Sequence, residues 1–171
     1  MVRTILDNFC VKSGIFCPRC EEKLRKGQIS DLDVKVIRTI TEMEKENTPL
    51  QDVTYHKTVE AGDIMALMVD KRGVDAFMAS GAKLAKNLGD RMGKRVRVLS
   101  YGGDERNFLE ELFSPFGILT INTIWLPDGS RETKVILSGH RPRRSSPIDY
   151  EVVKKLAREL KGLTLRIEFE N

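Results

Sequence analysis

Histidine is nearly absent from this chain, with two in 171 residues, and cysteine is scarce, with three. There is no Walker loop, no G-x-S-x-G and no His-rich metal motif. Cys20 can be posed as a nucleophile with His56 as its base, but nothing in the sequence places them together. No catalytic residue is assigned, and a non-enzymatic protein is expected. Long apolar runs are missing too; none approaches the roughly 18 residues a membrane-spanning helix needs. The N-terminus has neither an apolar h-region nor a small-residue cleavage site, so no secretory signal is read and cytoplasmic residence is expected. Three cysteines cannot all pair with one another, and in a reducing compartment clustered cysteines point to metal rather than disulfides. Aromatics are 6% of the chain, with a single tryptophan, Trp125, expected in the core.

What is present suits a soluble globular protein of one or two domains, 40% hydrophobic and 32% charged. The net charge of +4 conceals an uneven distribution. Residues 30–70 carry four Lys/Arg against nine Asp/Glu, whereas residues 71–106 and 131–161 each carry nine against four. Two basic blocks are the footprint of a phosphate-binding surface, where fixed cations displace counterions. A solvated basic face without a partner has the same composition.

In residues 1–29, Cys17-Pro18-Arg19-Cys20 is a C-x-x-C with Cys10 upstream. Two thiolates at that spacing reach one tetrahedral zinc ion and Cys10 supplies a third, so Cys10, Cys17 and Cys20 are the candidate ligands of a structural Zn2+. Asp7, His56 or a group from a second molecule would complete the set. A knuckle that has lost its metal is the competing reading; a thioredoxin-like pair lacks the surrounding βαβ pattern.

Ser30-x-x-Asp33 resembles a capping box opening a helix to about Glu46, with Leu32, Val36, Ile40 and Met43 on one face. Val53–Val59 and Ile64–Val69 read as strands. Phe77, Leu84, Leu88 and Met92 follow at helical steps, interrupted at Met78-Ala79-Ser80-Gly81, and Gly93 ends the second helix before the alternating strand around Val96 and Val98. Asp104–Phe113 reads as a helix, and Ile118–Leu126 and Lys134–Ser138 as a hairpin around Pro127-Asp128-Gly129-Ser130. The basic tract Gly139–Ser146 comes next, then a helix Ile148–Leu160 and a strand from Leu163 to Phe169.

Helix, tight loop, helix and basic strand resemble the middle of a KH domain. Gly81, Leu84, Leu88, Met92 and Gly93 fall at the family's positions, and Met78 stands where the first glycine of its G-x-x-G loop would be. Leu156, Leu160 and Gly162 repeat that spacing, displaced by one residue at the glycine, which predicts a second, degenerate unit. The expected fold is therefore α+β: two tandem type II KH-like units at 30–103 and 104–171, preceded by a zinc-knuckle-like segment at 1–29.

Val96-Arg97-Val98, Tyr101, Asp104–Phe108 and Leu112-Phe113-Ser114-Pro115 resemble the connector between the KH units of NusA. The pair without further domains is similar to archaeal NusA-like proteins. That resemblance implies single-stranded RNA as ligand, RNA polymerase as partner and a role in transcription elongation or termination. Carried over by position, it implies Ser80 and Gly81 in the loop, Lys83 and Lys86 on phosphates, and Lys71 and Arg72 beside the groove. In the second unit it implies Gly139, His140, Arg141, Arg143 and Arg144. An adaptor docking on polymerase or the ribosome through degenerate loops is the alternative that Met78 and the acidic 30–70 region favour.

Overall fold

The computed structural model describes residues 2–114, 116–139 and 149–170. These residues form six α-helices and two three-stranded mixed sheets, so the chain is α+β. It divides into two compact units, Met1–Gly102 and Gly103–Asn171. Among the described residues no helix is long and apolar enough to cross a membrane.

The first unit runs α1 (Asn8–Ser13), α2 (Pro18–Arg25), α3 (Asp31–Glu44), a short 3-10 turn, β1 (Tyr55–Ala61), β2 (Ile64–Val69), α4 (Lys71–Met92) and β3 (Arg95–Ser100). Its strand order is β1-β2-β3. β1 and β2 are antiparallel across the tight turn Gly62-Asp63; β2 and β3 are parallel, with Ile64 opposite Arg95 and Val69 opposite Ser100. A parallel neighbour requires a crossover, and α4 supplies it. All six residues of β2 are buried, the pattern of a central strand covered on both faces. Val36, Ile37, Ile40 and Met43 of α3 and Phe77, Leu84 and Leu88 of α4 share one buried cluster with Met65, Leu67 and Val69. Cys10, Val11, Cys20 and Ile29 belong to the same cluster.

The expected capping box forms at the start of α3. The Asp33 backbone N–H donates to Ser30 Oγ at 3.1 Å, and the Ser30 N–H donates to Asp33 Oδ2 at 2.9 Å. The other carboxylate oxygen does more. Asp33 Oδ1 accepts from the Tyr55 hydroxyl at 2.5 Å and the Thr58 N–H at 2.9 Å, which ties the helix start to β1. All three residues are buried. Burial, and then the adjacent Asp33 carboxylate, push the Tyr55 phenol well above its ordinary range.

The second unit runs α5 (Glu105–Phe113), β4 (Ile118–Trp125), β5 (Arg131–Leu137), α6 (Tyr150–Lys161) and β6 (Leu165–Phe169). Its sheet, β4-β5-β6, is antiparallel and then parallel, the same arrangement as the first unit. Phe108, Leu109, Leu112, Phe113, Val135, Leu137, Val153 and Leu156 are among its buried apolar side chains. The turn at Asp128 forms as its residues predict, with Asp128 Oδ1 accepting the Ser130 N–H at 2.9 Å and Gly129 at φ +85°. Trp125 departs from expectation. It is 69% exposed, because β4 is an edge strand with no buried residue.

Replacing Asp33 by Ala strands two backbone donors, Ser30 N–H and Thr58 N–H, leaves the Tyr55 hydroxyl only Thr58 Oγ1 at 2.6 Å, and should cost about 3 kcal/mol of unfolding free energy. Tyr55→Phe should cost about 1 kcal/mol. Urea denaturation measures both; an Asp33→Ala cost no larger than that of Tyr55→Phe would remove the network from the account.

Candidate functional site

Two clusters of chemistry-bearing residues lie in the first unit. In the first, Asp7, Cys10, Cys17 and Cys20 bring their ligand atoms within 4.8 Å of one another. Two short helices do this. Asp7 is the N-cap of α1 and Cys10 sits one turn on, so both lie on the same face. Gly14, at φ +76°, ends α1 and reverses the chain. Cys17 is then the N-cap of α2, with Pro18 at its first position and Cys20 in its first turn. The C-x-x-C is therefore the start of a helix.

The Cys17 N–H donates to Cys10 Sγ at 3.2 Å, and the Cys17 thiol lies 3.2 Å from Asp7 Oδ2. That backbone donor is the main reason the Cys10 thiol sits below its usual range, while burial pushes Cys20 up to about 11. A dication bound by sulfur at 2.3 Å needs its sulfurs about 3.8 Å apart, a small closure from this arrangement. Three thiolates and one carboxylate can hold a metal ion of borderline softness. Of the three completions open in the sequence, the geometry takes Asp7. His56 lies on β1, stacked on Tyr101 with ring centroids 3.9 Å apart.

The second cluster is the interruption in α4. Helical geometry breaks at Ala79 (ψ 150°), and Ser80, Gly81 and Ala82 follow with φ of +56°, +71° and +63°. Left-handed backbone is inexpensive at Gly81 but costs roughly 1–2 kcal/mol at each of Ser80 and Ala82. Met78, Ser80, Gly81, Lys83 and Lys86 are exposed. Beside the loop lies a groove of about 300 Å³ lined by Met78, Ala82, Lys86, Lys94, Arg95 and Val96, among others. Gly89 also lines it and packs directly on the Lys94 backbone, since a Cβ there would meet the Lys94 carbonyl oxygen at 2.6 Å.

Lys83 and Lys86 thus stand by the loop, with only Lys86 lining the groove, while Lys71 and Arg72 are exposed in the first turn of α4 at the far end of its first segment. Lys94 with the start of β3, Arg95 and Val96, forms one wall of the groove. The signal for it is Gly89 four residues before Gly93, a close approach ahead of a turn. Lys94 and Arg95 are held by Glu60 at 2.6 Å and Asp63 at 2.7 Å. Gly139 adopts φ +92° after β5; His140, Arg141, Arg143 and Arg144 lie outside the described residues.

No family model matches the chain, and no curated protein matches it. Among solved structures it is similar to the crystal structure of APE1850, at 18% identity and a TM-score of 0.50, over 78% of this chain and 96% of that one. That likeness concerns the fold alone.

Two measurements follow. Protein purified without added metal should carry one equivalent of a divalent ion, lose it in Cys20→Ser, and bind it at least about tenfold more weakly in Asp7→Ala. Absence of stoichiometric metal, with three titratable thiols, would contradict the site. Ala82→Gly should raise stability by about 0.5–1 kcal/mol in denaturant titration, since it relieves the left-handed alanine; a loss of stability would argue against that backbone.

Proposed function

We propose that the chain is a non-enzymatic, cytoplasmic, single-stranded RNA-binding protein of the NusA-like kind, built from two KH-like units and acting beside RNA polymerase in transcription elongation or termination. The observation that carries this reading is the strained, exposed loop 79–82. It lies between two helical segments, beside a groove edged by Lys86, Lys94 and Arg95 together with Asp90, on a sheet whose β2 and β3 are parallel. Strained backbone persists where the surroundings over-determine it, and functional loops are common among such places.

In this reading the loop amides and Lys83 and Lys86 hold about four nucleotides of backbone, and the bases lie over the apolar groove floor. The tract Gly139–Arg144 is the second unit's phosphate contact. The ion in the cysteine cluster is zinc, which takes thiolate and carboxylate tetrahedrally and does no redox chemistry, so its role is structural.

Exposed Met78, in place of a loop glycine, favours one other reading, a docking surface for polymerase or the ribosome. Fluorescence anisotropy with short single-stranded RNA at several salt concentrations separates the two. Lys83→Glu with Lys86→Glu should weaken binding at least about tenfold across sequences and reduce the log–log salt slope by about 1.4, roughly 0.7 per lost phosphate contact. Unchanged affinity and slope would assign the loop to the docking reading.

A further inference from the structure

Among the described residues β4 is an edge strand that carries no charged side chain. Its eight residues, Ile-Leu-Thr-Ile-Asn-Thr-Ile-Trp, include no buried position, and Leu119 and Trp125 are 44% and 69% exposed. The other three edge strands carry charges: Lys57 and Glu60 on β1, Arg95 and Arg97 on β3, Arg166 and Glu168 on β6. Charged side chains are the usual defence of an edge against pairing. None occurs between Phe116 and Pro127.

The hairpin fixes which backbone groups face outward. Leu126 N–H donates to Ser130 O at 2.8 Å, so Leu126 faces β5. Alternate residues of an antiparallel ladder turn the same way, which directs Ile124, Asn122 and Thr120 to β5 and the N–H and C=O of Trp125, Thr123 and Ile121 outward. The side chains of those three share a sheet face with Thr133 and Val135, their neighbours or near neighbours on β5 and both buried. Thr123 and Trp125 are nevertheless exposed on that face.

We propose that two copies of the chain pair antiparallel along β4 about a two-fold axis at Thr123, joining two three-stranded sheets into one of six. That register uses every outward backbone group of Ile121, Thr123 and Trp125. It places Ile121 beside the partner's Trp125, an aromatic–β-branched cross-strand pair, on the face they share with Thr133 and Val135. From Ile121 to Trp125 no charge opposes any residue across the seam. The seam suits another uncharged, β-branched strand, and the chain itself supplies one in β4. Isologous pairing of this kind closes at two copies and leaves no new edge in the middle.

Trp125 is the only tryptophan, so its emission reports this edge. Sedimentation equilibrium and tryptophan emission on the nuclease-treated full chain, from low to high micromolar concentration, test the pairing. The wild type should form a dimer, with emission moving to the blue as it does. Thr123→Lys sets two like charges at the axis and should weaken dimerisation at least about tenfold. Thr123→Pro removes only an outward N–H, which an edge strand tolerates, and should do the same with circular dichroism unchanged. A monomer at every concentration, a dimer without the emission shift, or a dimer that both variants leave intact would overturn the proposal.

Discussion

Two contacts without a side chain set the position of α4 on its sheet. A Cβ on Gly73 would meet Val69 Cγ2 at 2.7 Å, and one on Gly89 would meet the Lys94 carbonyl oxygen at 2.6 Å. β2, buried along its whole length, lies in the middle of the sheet, and Phe77, Leu84 and Leu88 of α4 join its cluster. The glycines let both helical segments approach closely, one at each end. The four residues between the segments are then held by flanks that cannot move apart, and left-handed Ser80 and Ala82 persist under that hold. The groove beside them has the same origin, since Gly89 lines it and its wall is the start of β3.

The rest of the first unit is fastened to the same core. Asp33 joins the start of α3 to β1 through both carboxylate oxygens, and α3 in turn shares the buried cluster with Cys10 and Cys20. An ion on the cysteines would therefore brace side chains that already belong to the core. Its binding free energy would be coupled to folding of the unit, while the interrupted loop lies elsewhere, on α4.

Much of this was readable where periodicity and turn chemistry reinforce each other. Phe77, Leu84 and Leu88 place the segments of α4, Gly93 ends it in the left-handed conformation, and Ser30 with Asp33 marks the start of α3. The misses have particular causes. Non-glycine residues become left-handed only under tertiary hold, so Ser80 and Ala82 carry no local sign. Tyr55 lies 22 residues from Asp33, and no pattern links them. Helices of six and eight residues are too short to show a period, so α1 and α2 carry no helical sign in the sequence, and Asp7 is one completion among three there. Trp125 looks like core by size, but no buried position exists on β4.

The central claim is that the loop and groove of the first unit receive single-stranded RNA. Titrating the nitrogen-15-labelled chain with a short single strand and following its amide resonances tests it most directly. The account predicts shifts concentrated at Ala79 to Lys86 and Lys94 to Val96, saturating together. Shifts confined to other residues, with these unmoved at saturation, would contradict it.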